Sequence, residues 1–127
     1  MKKAIATTKA PAAIGPYSQA IEAGGFLYIS GQLPIDGETG KMAATIGEQA
    51  QASLRNIDHI LQEAGFTRND VVKTTIFLKN LADFDTVNKV YGEFFAGSTF
   101  PARSTIEVSR LPKDAPIEIE AIACKNG

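Results

Sequence analysis

Arg103 is the side chain that the sequence places best for binding an anion. It follows Phe100-Pro101-Ala102, so a proline and the start of a strand fix the backbone just before it. A guanidinium held at a strand entrance suits bidentate capture of a carboxylate, a charge-assisted bond worth about 1.5–3 kcal/mol. An ion pair with Glu118 or Glu107 is the other use of the same side chain, and the commoner one for Arg. Glu118 and Glu120 alternate with isoleucines and therefore share one strand face, about 7 Å apart. Crowded carboxylates push one pKa towards that of a general base; the solvated face of an outer strand shows the same alternation. Gly15-Pro16-Tyr17 and Ser30-Gly31-Gln32-Leu33-Pro34 are turns at strand ends. Glycine exposes backbone N–H groups there and Tyr17 offers a ring and a hydroxyl, although Gly-Pro pairs are also ordinary punctuation.

Several chemistries are excluded. With one His and one Cys, the chain can build neither a disulfide framework nor a Cys/His zinc cluster of its own, so no metal is expected. His59 falls opposite the apolar stripe of its helix and is expected to be solvated, leaving no nucleophilic triad around it. Cys124 has no basic partner identifiable in the sequence and reads as an inert thiol. Walker, Rossmann and EF-hand patterns are missing. Thirteen Lys and Arg against 14 Asp and Glu, scattered along the chain, give no footprint for DNA or RNA. No apolar run approaches the ~20 residues of a membrane span. The lysines at 2 and 3 are followed by Thr7-Thr8-Lys9 rather than by the apolar core of a signal peptide. A soluble, cytoplasmic protein is the expectation.

The elements that must position these residues follow from periodicity. A single domain, 1–127, is expected, because 127 residues bury about two thirds of their unfolded surface. Strands are predicted at 4–7, 18–22 and 26–30, with a Pro/Gly loop at 10–16 and a turn at 36–40. A first helix runs between Thr45, three residues before Glu48 as in a capping box, and Gly65. Ile46, Ala50, Leu54, Ile57, Leu61 and Ala64 form its apolar stripe. A strand at 71–79 precedes a second helix at 84–96, capped by Asp83 and stopped at Gly97. That helix has an apolar arc of Phe84, Val87, Val90, Tyr91, Phe94 and Phe95, with Asn88 at its edge. Strands at 103–110 and 117–124 close the chain. Alternation in the first of these puts Ser104, Ile106 and Val108 on one face and Arg103, Thr105 and Glu107 on the other. The expected fold class is α+β, with two helices packed on one face of a mixed sheet of about six strands. Its opposite face is expected to carry Arg103, Thr105, Glu107, Glu118 and Glu120 among apolar residues, either solvated or covered by another copy.

Five segments together resemble the RidA (YjgF) family of enamine/imine deaminases, over about residues 3–125. They are Ala13-Ile14-Gly15-Pro16-Tyr17-Ser18-Gln19-Ala20, Ser30-Gly31-Gln32-Leu33-Pro34, Val87-Asn88-Lys89-Val90-Tyr91, Pro101-Ala102-Arg103-Ser104 and the run from Glu107 through Ala123. The resemblance implies a chorismate-mutase-like fold and a homotrimer with a central barrel and clefts between subunits. It also implies cofactor-independent hydrolysis of 2-iminopropanoate and 2-iminobutanoate to 2-keto acids and ammonia. Carried over by position, Arg103 would grip the substrate carboxylate and Glu118 would hold the attacking water. Tyr17, Ser30, Gly31, Asn88 and Thr105 would line the pocket, and Glu120 would be structural. Many members carry Cys where this chain has Thr105, so a role through the backbone of residue 105 is expected rather than one through a thiol. Two other functions go with the same resemblance: a non-enzymatic metabolite-binding or regulatory trimer using the same cleft, and an endoribonuclease, which the charge balance disfavours.

Overall fold

In the computed structural model, which describes residues 1–125, six strands form one sheet in the order β1-β2-β3-β6-β4-β5. The strands are β1 (Lys3–Ile5), β2 (Ala20–Ala23), β3 (Phe26–Gln32), β4 (Val71–Leu78), β5 (Ala102–Glu107) and β6 (Ile117–Cys124). All neighbours are antiparallel except β4 and β5, which are parallel. A parallel pair needs a crossover; helix α2 (Phe84–Phe94) supplies it, while α1 (Ile46–Ala64) links β3 to β4. The α+β class and the mixed six-stranded sheet agree with the sequence reading.

Helix α1 forms where its stripe and caps predict. The Thr45 Oγ1 accepts from Glu48 N–H at 3.3 Å and its hydroxyl donates to Glu48 Oε1 at 2.9 Å. Gly65, at φ 79°, ends the helix in the left-handed conformation that glycine adopts without penalty. Leu54, Ile57, Ile60 and Leu61 are fully buried against Leu27 and Ile29 of β3, Ile76 and Leu78 of β4, and Ile117 and Ile119 of β6. Each such side chain contributes about 1.5–3 kcal/mol by leaving water, so truncating Ile57 to Ala would cost about 2–5 kcal/mol.

The differences from the sequence reading are local, with one exception. Strand β2 begins at Ala20 rather than Ser18, because Gln19 is turned inward to hold the preceding loop: its Nε2 donates to Pro11 O at 2.7 Å and its Oε1 accepts from Thr7 N–H at 2.7 Å. Strand β3 continues to Gln32 through an irregularity between Ile29 and Gln32. Helix α2 ends at Phe94, and Asp83 makes no side-chain cap; Asn80 caps the preceding 3₁₀ turn instead, accepting from Ala82 N–H at 2.9 Å. His59 is half-buried rather than solvated, since the segment around Ile35 to Glu38 packs beside α1, and its Nδ1 has no hydrogen-bond partner.

The exception concerns faces. Strand β5 alternates as predicted, but Arg103 pairs with Thr74 and Thr105 with Ile76, both buried beneath the helices. Arg103, Thr105 and Glu107 therefore lie on the helix side of the sheet, not on the side opposite the helices. Glu118 and Glu120 do lie on that opposite side, because Ile117, Ile119, Ala121 and Ala123 fill the core from β6. The opposite side also carries exposed Tyr28 and Ile106, with Ile122 and Phe77 half-covered.

Candidate functional site

The predicted site residues fall into two groups on opposite sides of the sheet. Glu118, Gly31 and Tyr17 form one, lining a cleft of about 80 Å³ with Ile14, Pro112 and Lys113. Between the pairs Ile29–Ala121 and Gln32–Ile119, two residues of β3, Ser30 and Gly31, stand opposite one of β6. This bulge turns Gly31 onto Glu118. A Cβ on Gly31 would sit 2.6 Å from Glu118 Cδ and 2.7 Å from its Oε2, closer than any real contact, so glycine there is what leaves room for the carboxylate. Burial raises the Glu118 pKa above the ordinary carboxylate value, and the charge of exposed Glu120 on the same strand raises it further.

The surrounding chain is held in place by side chains. Ser30 Oγ donates to Ser18 O at 2.7 Å, tying β3 to the segment that carries Tyr17. Tyr17 is half-exposed, and its hydroxyl accepts from Ile14 N–H at 3.2 Å. Beyond Gly31, the buried Asn56 of α1 donates to Leu33 O at 3.1 Å and to Ile35 O at 2.8 Å. The opposite wall is strained: Lys113 and Asp114 adopt φ of 58° and 53°, a conformation costing a non-glycine residue about 1–3 kcal/mol.

Arg103, Thr105 and Asn88 form the second group. Among the described residues Arg103 has no carboxylate partner: Glu107 Oε1 accepts instead from Leu81 N–H at 2.8 Å, and Glu118 is across the sheet. The guanidinium lies over the rings of Tyr91 and Phe84, 4.8 and 5.6 Å from their centroids. Asn88 is exposed on α2, four residues after Phe84 and three before Tyr91, hence on the same helix face. Thr105 Oγ1 is buried with no hydrogen-bond partner among the described residues. The sequence reading placed Tyr91 in the core but missed its role beneath Arg103; the signal is a hydroxyl in an apolar arc, which when buried needs a partner. Asn56 and Gln19 left no comparable signal.

Fold and site define a small α+β protein that presents, on one side of its sheet, a guanidinium with no carboxylate partner among the described residues and, on the other, a half-buried carboxylate. A family model described as Endoribonuclease L-PSP matches residues 7–125. The chain belongs to this family, which includes the YjgF proteins. A Salmonella typhimurium protein named 2-iminobutanoate/2-iminopropanoate deaminase is 53% identical over 127 residues, 98% of this chain and 99% of its own. The crystal structure of the YjgF gene product from E. coli matches with a TM-score of 0.95 at 52% identity, over 98% of this chain and 99% of that one. That of E. coli TdcF with bound serine has a TM-score of 0.95 at 44% identity, with the same coverage.

Proposed function

We propose that this chain is a cytoplasmic, cofactor-independent hydrolase of C=N bonds. It would convert 2-iminopropanoate and 2-iminobutanoate to 2-keto acids and ammonia, in a homotrimer with clefts between neighbouring copies. The observation that carries the activity is similarity along nearly the whole chain to a protein named as a deaminase of those two compounds. The geometry supports an inter-subunit site. Strand β4 separates β5 from β6, so Arg103 and Glu118 stand on strands about 9.5 Å apart and on opposite faces. One copy cannot close both onto a ligand of six or seven heavy atoms. A neighbour seated against the apolar sheet face of Tyr28, Phe77, Ile106 and Ile122 would bring a second Arg103 to the first Glu118.

In that cleft Arg103 of one copy holds the carboxylate through two parallel N–H donors. Glu118 of the next copy positions a water about 3 Å from the imine carbon and accepts its proton as the C–O bond forms. The π electrons of C=N move to nitrogen, which is already protonated in the reactive iminium form. Glu118 returns that proton to the nitrogen, the C–N bond breaks as the hydroxyl oxygen forms C=O, and the hydroxyl proton leaves with the ammonia as ammonium. Imine plus water gives keto acid plus ammonia, so the step needs neither oxidant nor covalent intermediate. The raised pKa of Glu118 makes it a stronger base than a solvated carboxylate. Tyr17, Ser30, Gly31, Asn88 and the backbone of Thr105 line the cleft.

The test is to generate 2-aminoacrylate with a dehydratase and follow pyruvate release. Acceleration by the purified protein, lost in Arg103→Ala, is expected; no acceleration, or full activity in the variant, would overturn the proposal. A binding role in the same cleft is the second reading, favoured by the serine held in the related TdcF structure. Calorimetric binding of an amino acid without turnover would select it. The family's endoribonuclease description asks for a phosphate-binding surface, and 13 basic against 14 acidic residues provide no charge excess for one.

A further inference from the structure

The support under Arg103 is built from three elements. Its guanidinium carbon lies over the ring of Tyr91, 4.8 Å from the centroid, with the ring of Phe84 as a second wall at 5.6 Å. Tyr91 is itself fixed. It is 4% exposed, packs on Phe95 at a centroid distance of 4.9 Å, and its hydroxyl is in a buried hydrogen bond of 2.6 Å with Thr74 Oγ1. Thr74 is the β4 residue directly beside Arg103 in the parallel register. Strand, ring, hydroxyl and neighbouring strand thus close a circuit around one side chain. A guanidinium held over aromatic rings still has N–H donors to offer a ligand.

We infer that Tyr91, locked by Thr74, is a positioning residue that orients the Arg103 guanidinium for a planar anion and thereby sets affinity for the substrate carboxylate. The inference rests on the reading that Arg103 binds that carboxylate. An Arg side chain carries about 2 kcal/mol of rotamer entropy, and a ring that restrains it in advance lowers what binding must order. Phe84, two turns earlier on the same helix face, restrains the same group. Neither ring touches the reacting carbon through this route, so their removal should weaken binding more than it slows chemistry.

The experiment is steady-state kinetics on 2-iminobutanoate generated in situ for Tyr91→Leu, Tyr91→Phe, Phe84→Leu and Arg103→Ala, beside calorimetric titration of 2-ketobutanoate, the stable carboxylate product, into each of them and into each ring variant combined with Arg103→Ala. A cation–π contact of the usual strength predicts a KM rise of about five- to thirtyfold for Tyr91→Leu, with kcat within about threefold. Tyr91→Phe, which keeps the ring and loses the Thr74 bond, should fall between it and the wild type. Affinity for 2-ketobutanoate should fall with the KM rise in the ring variants, and in the Arg103→Ala background, where turnover is lost, the ring variants should weaken it no further. Should Tyr91→Leu fail to fold, half-buried Phe84→Leu carries the same test with a smaller rise. Equal losses of 2-ketobutanoate affinity with and without Arg103 would overturn the inference while leaving carboxylate binding intact. Unchanged kinetics in Arg103→Ala alone would instead overturn the carboxylate reading on which it rests.

Discussion

Replacing Gly31 by Ala should separate activity from stability. Gly31 does not have a positive φ, so alanine fits its backbone and the added methyl acts by contact alone. That methyl would lie 2.6 Å from Glu118 Cδ, 2.7 Å from Oε2 and 2.9 Å from Cγ. Ordinary contact begins near 3.4 Å, so the carboxylate must retreat by roughly 1 Å. These atoms are the far end of a flexible side chain, and an off-rotamer Glu costs about 0.5–1.5 kcal/mol. A melting temperature lower by about 2–6 °C follows for a domain of this size. Displacing a water-holding group by about 1 Å costs on the order of 100-fold in rate. The assay is pyruvate release from dehydratase-generated 2-aminoacrylate, beside a thermal melt. In Gly31→Ala/Glu118→Ala the methyl fills vacated space, so the melting temperature should recover to that of Glu118→Ala alone. Gly31→Ala with turnover within twofold of wild type would refute the claim that the position of Glu118 governs the reaction.

Three further outcomes follow from the same geometry. Because Glu118 must be ionised to accept a proton, turnover should fall on the acid side with a midpoint above the ordinary carboxylate value; burial is the larger cause and Glu120 the smaller. Glu120→Gln should lower that midpoint without restoring it fully, and a profile unmoved by the substitution would contradict the assigned cause. A carboxyl with a raised pKa favours the folded state most when protonated, so its contribution is full below the unfolded-state pKa and lost as pH rises through the folded one. Glu118→Gln should therefore gain stability relative to wild type at neutral pH and lose that gain in acid, as denaturant titrations at two pH values would show. Asn56→Ala takes the Asn56 donor from Ile35 O and one of two donors from Leu33 O, which also accepts from Ile35 N–H at 2.8 Å; a loss of about 1–3 kcal/mol is expected, with slower turnover because the freed segment adjoins Gly31. Unchanged stability would show that Ile35 O does not depend on Asn56.

The parts of this fold that were legible in the sequence are those with an asymmetric signal. Helix α1 announced itself by a one-sided stripe between Thr45 and Gly65, and β6 by isoleucines alternating with Glu118 and Glu120. The alternation of β5 was equally clear, yet period two states only that Arg103 and Thr105 share a face, never which face meets the helices. The register with Thr74 and Ile76 decides that, and register depends on pairing between strands distant in sequence. Likewise His59 lay opposite its own helix's stripe, but coverage by residues 35–38 is a tertiary event. Gly31 stood out as a turn residue; that it faces Glu118, 87 positions later, follows only from the bulge in β3.

That Arg103 and Glu118 act together only across two copies is tested most directly by subunit mixing. Arg103→Ala and Glu118→Ala chains, each inactive alone, are unfolded or co-expressed together at equal amounts so that copies assemble at random. A cleft works when one side brings an intact Arg103 and the other an intact Glu118, a half times a half, so about one quarter of wild-type turnover should return in any closed ring. Mixed assemblies that remain as inactive as the separate variants would contradict a site shared between subunits.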